Sequence, residues 1–252
     1  MLIEKIFFDH YQSLNEELYF KREDLEQAAL ELGGEPIKNL GDIIYSIRYR
    51  LGMPEKIIKT QPKGMEWIIE GAGRAKYVIK LVKVNRILPN PELITIKIPD
   101  STPEIVSQYA LAKVRYNRLI DIFLGLTTYS LQNHLRTTVK SVGQIEIDEI
   151  YVGVDQWGSH YVIPVQAKGG NDQLSVVQTK QDILCCAEKY PNLIIRAIST
   201  QFMEDDLIAI FELVVQEDQV KLVREKHYRL VPSSDISDED LRQYRVSSGS
   251  RM

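Results

Sequence analysis

Glu146 and Asp148 stand two residues apart, and eighteen positions beyond Asp148 come Gln166, Ala167 and Lys168, followed by two glycines. Between them lie two apolar runs, Ile150 to Val154 and Tyr161 to Val165, around Trp157-Gly158, the pattern of a β-hairpin. Pairing outward from that turn sets Asp155 against His160 and Gly153 against Val162, and brings Asp148 opposite Ala167, between Gln166 and Lys168. Side chains two apart on a strand share a face, so Glu146 with Asp148, and Gln166 with Lys168, converge on one patch. An unpaired carboxylate or ammonium away from water costs on the order of several kcal/mol. A divalent cation held by Asp148, the amide oxygen of Gln166 and the carbonyl of Ala167 would compensate, with the hard oxygen ligands that magnesium takes. Lys168 would then orient a water and stabilise the negative charge that builds at an attacked phosphate, the chemistry of phosphodiester hydrolysis. The alternative for the same residues is a surface ion pair of Lys168 with Asp148 and Glu146, worth at most about 1 kcal/mol.

Asp148 followed by Gln166-Ala167-Lys168 at the end of an apolar strand resembles the D…(D/E/Q)xK signature of the PD-(D/E)xK nuclease superfamily, and the Gln-x-Lys form is similar to that of Mrr-like restriction nucleases. Glu146-Ile-Asp148-Glu-Ile resembles the E-I-D-x-I strand of small nucleases of that superfamily, which makes Asp148, rather than Asp155, the metal ligand. The resemblance covers roughly Leu111 to Arg196. It implies a restriction-endonuclease-like core, a Mg²⁺ cofactor, double-stranded DNA as substrate, and a homodimer acting on palindromic sites. Gln166 departs from the commoner carboxylate and removes one negative charge, which Glu146 could restore. Asp155, beside the turn, reads as a turn former.

Further polar residues suit DNA. Arg115, Asn117, Arg118, Gln132, Asn133, His134 and Arg136 precede the hairpin, and Arg and amide side chains are common partners of phosphates and base edges; a solvated helix face is the other reading. Arg118, Asn133, His134 and Arg136 are the expected DNA contacts here. Gln178, Lys180 and Gln181 fall on a helix that could flank the catalytic strands. Glu204-Asp205-Asp206 reads as the acidic start of a helix. Gly71-Ala-Gly73 lacks the spacing of a dinucleotide or P-loop site.

The elements that would carry these residues follow from periodicity. After a first helical stretch, Arg22 to Leu32 is amphipathic and stops at Gly33-Gly34, a turn follows at Pro36, and a second helix spans about Leu40 to Leu51 with Arg48 and Arg50 in its last turns. A hairpin follows, Glu66 to Glu70 and Lys76 to Val82, turning at Gly71 to Arg74. Helix, turn, helix and hairpin is the order of a winged helix, with Arg48 and Arg50 at the groove and Arg74 and Lys76 on the wing. Four prolines from Pro89 to Pro103 surround a short strand, Leu93 to Ile98, and mark a domain boundary. A long helical region is expected from Thr102 to about Thr138. Strands follow at Gly143 to Asp155, His160 to Gln166, Leu193 to Ser199, Leu207 to Val215 and Val220 to Leu230, with a helix at about Leu174 to Lys189, and a polar, partly disordered tail from Ser234.

Composition sets the frame. The chain has 252 residues, 44% hydrophobic and 26% charged, enough for one large or two small domains. The net charge of −4 hides an asymmetry: Lys38 to Arg86 carries eleven basic against four acidic residues, and Gln201 to the end seven against eleven, so any basic DNA-facing surface is local. Neither a signal peptide nor an apolar run near 18 residues is expected. Cys185 and Cys186 are adjacent, a poor geometry for a disulfide, which suits a reducing cytoplasm. The fold class expected is α/β, a mixed central sheet flanked by helices, over residues 101–252, behind a smaller α+β winged-helix-like domain over 1–100. The function expected is a type II restriction endonuclease; a structure-selective or repair nuclease of the same superfamily and a non-catalytic winged-helix DNA-binding protein are the alternatives.

Overall fold

A computed structural model describes residues 2–12, 15–33, 40–140, 142–169, 174, 176–217 and 219–249, without the side chains at 40, 42, 49, 50 and 247–249. The turn expected at Pro36 lies outside the described residues, as does Gly170. The chain divides into two compact units, Met1–Asn85 with Thr137–Ile145, and Arg86–Arg136 with Glu146–Met252.

In the first unit, α1 (Leu2–His10) buries Ile3, Ile6 and Phe7, one stripe at helical spacing. β1 (Glu17–Lys21) alternates strictly, with Leu18 and Phe20 inward; this strand was not expected, because five residues between two helices leave little periodic signal. α2 (Arg22–Glu31) starts where the Lys21 N–H donates to Asp24 (2.6 Å) and buries Leu25, Ala28 and Ala29. α3 (Leu40–Ser46) continues as a π-helical turn, Ile47–Leu51, together spanning the expected second helix. α4 (Glu55–Ile58) precedes the expected hairpin, β2 (Met65–Gly71) and β3 (Lys76–Lys83). The three strands form an antiparallel sheet in the order β1-β3-β2. Ile3, Phe7, Leu25, Ile57, Trp67 and Ile79 meet in one apolar core on the helical side of this sheet. Gly71 is required by contact: a Cβ there would lie 1.8 Å from the Val142 carbonyl oxygen.

The second unit is mixed α/β. Its elements are β4 (Thr95–Pro99), α5 (Ala110–Tyr116), α6 (Leu119–Leu124), β5 (Thr127–Val139), β6 (Gly143–Val154), β7 (His160–Gly169), α7 (Val176–Lys189), β8 (Ile194–Ile195), β9 (Ala197–Phe202), β10 (Leu207–Gln216), β11 (Gln219–Val231) and α8 (Asp238–Gly249). Seven strands run in the order β4-β11-β10-β9-β7-β6-β5, with β8 alongside β7; β7 pairs β9 in parallel and β6 antiparallel, so the sheet is mixed. One face packs on α5 and α6 through Leu119, Ile120, Phe123, Tyr151, Ile163 and Val165. The other packs on α7 through Ile150, Val162 and Cys186.

Three expectations need correction. The helical region expected from Thr102 to Thr138 is two short helices and then a 13-residue strand, β5. β5 ends the strand order and most of its side chains are exposed, so it lacks the apolar alternation that marks a half-buried strand; Gly125, left-handed at φ 70°, ends the helix before it. The boundary expected near residue 100 falls at Asn85 and Arg86 instead, because β4 pairs in parallel with β11 and so belongs to the second unit. The tail is not without structure up to Gly249: α8 is held to β4 by Lys97 Nζ on Asp240 (2.9 Å) and by the Lys97 N–H donated to the Tyr244 hydroxyl (2.9 Å).

Candidate active site

The β6–β7 ladder runs from Val154 opposite His160 to Glu149 opposite Val165. This register is displaced by one residue from the expected one, which set Gly153 against Val162; Gly153 faces Tyr161. A one-residue slip exchanges the faces of every side chain. The observed register continues to Asp148 beside Gln166, in step, so that Asp148, Gln166 and Lys168 all stand on one face. It is the α7 face, since Ile150 and Val162, which share their alternation, pack on Cys186.

At Asp148 and Gln166 the two strands part. The ladder with β6 stops, while Gln166, Ala167 and Lys168 pair on their other side with Ser199, Thr200 and Gln201 of β9. Asp148 closes the opening: its Oδ2 accepts the Ala167 N–H at 2.9 Å. N–H and C=O of one residue leave an extended strand along the same edge, so the Ala167 carbonyl opens toward Asp148 as well. Gln166 is 1% exposed; its Nε2 meets Thr179 Oγ1, and its Oε1 is buried without a hydrogen-bond partner. Lys168 Nζ donates to Gln178 Oε1 at 2.9 Å.

α7 adds a residue that the sequence reading missed. Asp182 stands one helical turn beyond Gln178 and Thr179, is 3% exposed, and has an Oδ1 without a hydrogen-bond partner. Burial, then the neighbouring Asp148 charge, push its carboxyl well above the usual range, while Lys168 pulls the other way. The signal was present: Gln178 and Asp182 lie four apart on the stripe that carries the buried Cys185 and Cys186, and acids on an apolar helix face are rare unless paired. The expected flanking role of α7 was assigned to Gln178, Lys180 and Gln181, and of these Gln178 touches the site.

Glu146 shares the face of Asp148, but its carboxylate engages β5: Arg136 Nε lies 3.1 Å from Oε2 and His134 Nδ1 3.4 Å from Oε1. Asp182 is an acid electrostatically coupled to Asp148 and Lys168. His134 has φ 47°, and the side-chain alternation slips there. Ser130 reaches Glu149, on the α5–α6 face, whereas His134 and Arg136 reach Glu146, on the α7 face. A bulge of this kind re-aims an edge strand. It puts two cationic or titratable side chains, each more than 70% exposed, on the face of the site.

The other expected DNA contacts scatter. Asn133 accepts a hydrogen bond from Arg115 Nη2 (3.0 Å), and Arg118, left-handed at φ 50°, pairs with Asp121; both belong to the α5–α6 side of the sheet. In the first unit Arg74 and Lys76 are exposed at the β2–β3 turn, and Arg48 lies over the Tyr77 ring at 5.9 Å. The side chain of Arg50 lies outside the described residues. Asp155 is a turn residue, accepting the Trp157 and Ser159 N–H groups, both at 2.9 Å. Glu204 to Asp206 form a single 3-10 turn rather than the start of a longer helix.

Among the described residues no three His, Cys, Asp or Glu side chains gather as a metal-holding group, and no helix is long and apolar enough to cross a membrane. A cation at this site would be held by a mixed oxygen set: the Asp148 carboxylate, the orphaned Gln166 Oε1 and the Ala167 carbonyl. No protein-family model matches the chain, and no curated protein or solved structure does.

Proposed function

We propose that the chain is a Mg²⁺-dependent endonuclease of the PD-(D/E)xK class, acting on double-stranded DNA as a type II restriction enzyme and as a homodimer. One observation carries the reading: where β6 and β7 part, an acid, an amide oxygen without a partner and an ammonium share one face of the sheet. A buried amide oxygen with no hydrogen bond is uncommon, and an oxygen ligand for a hard cation is a reason for it. Bound there, Mg²⁺ would lower the pKa of a water and polarise the scissile phosphate.

The chain's own residues do the rest. The Ala167 N–H fixes Asp148 in one rotamer, and Gln178 fixes the Lys168 ammonium, so neither must reorganise as negative charge develops on the phosphate. Asp182 is pushed toward its neutral form by burial and by the neighbouring Asp148 charge, as one member of a close carboxylate pair is. Arg136 and His134, exposed on the same face, suit phosphates flanking the scissile bond.

The order α1-β1-α2-α3-α4-β2-β3 with strand order β1-β3-β2 supports a winged-helix reading of the first unit, with α3 and its π-helical turn toward the groove and exposed Arg74 and Lys76 on the wing. Phosphate contacts there would make binding fall with salt.

Plasmid DNA incubated with the protein and Mg²⁺ tests the proposal. Discrete fragments are expected from the wild type, and none from Lys168→Ala, which should retain DNA binding in a gel shift. A smear would indicate a structure-selective or repair nuclease. Binding without cleavage by either protein would leave a non-catalytic DNA-binding protein.

A further inference from the structure

The sheet of the second unit has two edges, and one of them is closed. At β4 the Lys97 N–H donates to the Tyr244 hydroxyl of α8 at 2.9 Å, so the helix takes a backbone group that another strand could pair with. At the opposite edge, among the described residues, no strand pairs with β5 on its outer side. Proteins usually blunt such an edge with charge, because its outward N–H and C=O groups are a template for another strand. β5 carries no charged side chain from Thr127 to Asn133. Tyr129 to Asn133 are exposed in succession, Tyr129 at 64% and Leu131 at 51%.

Two features bound the open stretch and set its register. The Thr128 N–H donates to Asp121 Oδ1 of α6 at 2.6 Å, so it leaves the strand on the side away from β6. At His134 the positive φ of 47° bulges the strand. Between them lie five residues, Tyr129 to Asn133, centred on Leu131. The N–H and C=O of one residue leave a strand along the same edge, and successive residues alternate. With Thr128 outward, Ser130 and Gln132 therefore present their backbone groups to the open side. The segment complements itself: run antiparallel about Leu131, Ser130 of one copy meets Gln132 of the other as a hydrogen-bonded pair, Tyr129 meets Asn133, and Leu131 meets its own counterpart at the axis. No like charges are brought together, and one surface serves both copies, as a twofold interface requires.

We propose that this edge binds a second copy of the chain, the two Tyr129–Asn133 segments pairing antiparallel about Leu131 and joining two sheets into one. The choice of a second copy over a foreign strand rests on that self-complementarity and on the homodimer of the proposed function. Residues opposite each other in an antiparallel pair point to one face, so Asp148 and Lys168 of both copies look to the same side of the joined sheet. That arrangement suits two cuts in one duplex.

Sedimentation of the full-length protein over a concentration series, without DNA or Mg²⁺, tests this. The wild type should be dimeric. Leu131→Lys and Leu131→Glu each set like charges directly opposite one another and should lose the dimer while keeping the far-UV circular dichroism of the wild type. An equimolar mixture of the two should regain it, because each lysine then faces a glutamate. Leu131→Cys gives a second reading. Residues opposed at a position of this kind stand about 4.5 Å apart at Cα, within disulfide reach, and Cys185 and Cys186 are 0% exposed, so oxidation should give a linked dimer through position 131. A monomeric wild type, charge variants that remain dimeric, a mixture of folded variants that stays monomeric, or no linked dimer from Leu131→Cys would overturn the proposal. Lys168→Ala should dimerise like the wild type, which keeps this inference apart from the nuclease reading. A dimer broken at Leu131 that never cleaves DNA loses the nuclease alone; discrete cleavage by a protein whose association ignores Leu131 loses this interface alone.

Discussion

Asp182→Asn should make the protein more stable, and increasingly so as pH rises. Unfolded, Asp182 titrates near its ordinary value of 3.8; folded, burial and the Asp148 charge raise its carboxyl well above that, with Lys168 opposing. A raised acid favours the folded state at low pH and withdraws that support as pH climbs toward the folded pKa, because the unfolded chain releases a proton that the folded one keeps. The slope is about 1.4 kcal/mol per pH unit between the two values. An asparagine has no such slope, so the stability difference between Asp182→Asn and the wild type should widen as pH rises from the ordinary carboxylate range toward the folded pKa, by no more than about 1.4 kcal/mol per pH unit. Urea denaturation at pH 5, 6 and 7 measures it, with midpoints compared at constant m. Lys168→Ala should extend the rise to higher pH, since it removes a cation that stabilises the ionised form. Mg²⁺ should flatten it. Parallel pH profiles for the wild type and Asp182→Asn would refute the reasoning, since they would mean that Asp182 is ionised in the fold at every pH tested. The same variant should lose cleavage if a second carboxyl is needed beside Asp148.

Gly71→Ala should destabilise the first unit by about 1–3 kcal/mol, the usual cost of forcing an atom into a packed contact, because the new Cβ would meet the Val142 carbonyl oxygen at 1.8 Å; thermal melting reads this, and an unchanged midpoint would contradict the contact. Glu212→Gln should cost about 3–5 kcal/mol, since it leaves Arg196 and Arg224, both on this carboxylate, with an uncompensated charge. Burial alone would raise the Glu212 pKa, but the two arginines outweigh it and hold it down. The support that Glu212 gives is therefore present above the ordinary carboxylate range and lost as pH falls through its folded pKa, so wild type and Glu212→Gln should converge in acid.

Much of this was legible in the chain. Residues with strong local periodicity declared their elements: the stripe of α2, the hairpin of β2 and β3, the apolar runs of β6, β7 and β10, and the helix carrying Cys185 and Cys186 all lie close to where their patterns put them. The spacing of Asp148, Gln166 and Lys168 on two apolar strands, with the resemblance it carries, singles out the trio, and their common face follows from alternation once the register is known. β5 escaped because an exposed edge strand has no apolar side to write into its sequence. β1 escaped because its five residues run directly into α2 without a turn residue between them to mark a strand.

The tertiary structure decided what depends on partners distant in the chain. The hairpin register turns on how Asp155 and its neighbours close the turn, and a shift of one residue there exchanges faces all the way to Asp148. Whether Glu146 or Asp182 completes the acidic site depends on which neighbour each meets: Arg136 and His134 of β5 engage the first, and the packing of α7 buries the second. The buried Glu149 carboxylate is held by residues 115 and 130, from a helix and a neighbouring strand. Local sequence fixes dihedral preferences and which side of an element is apolar, since these act over a few residues. The docking of one element on another is a balance of burial and desolvation summed over the whole chain, and it selects which polar groups end up together.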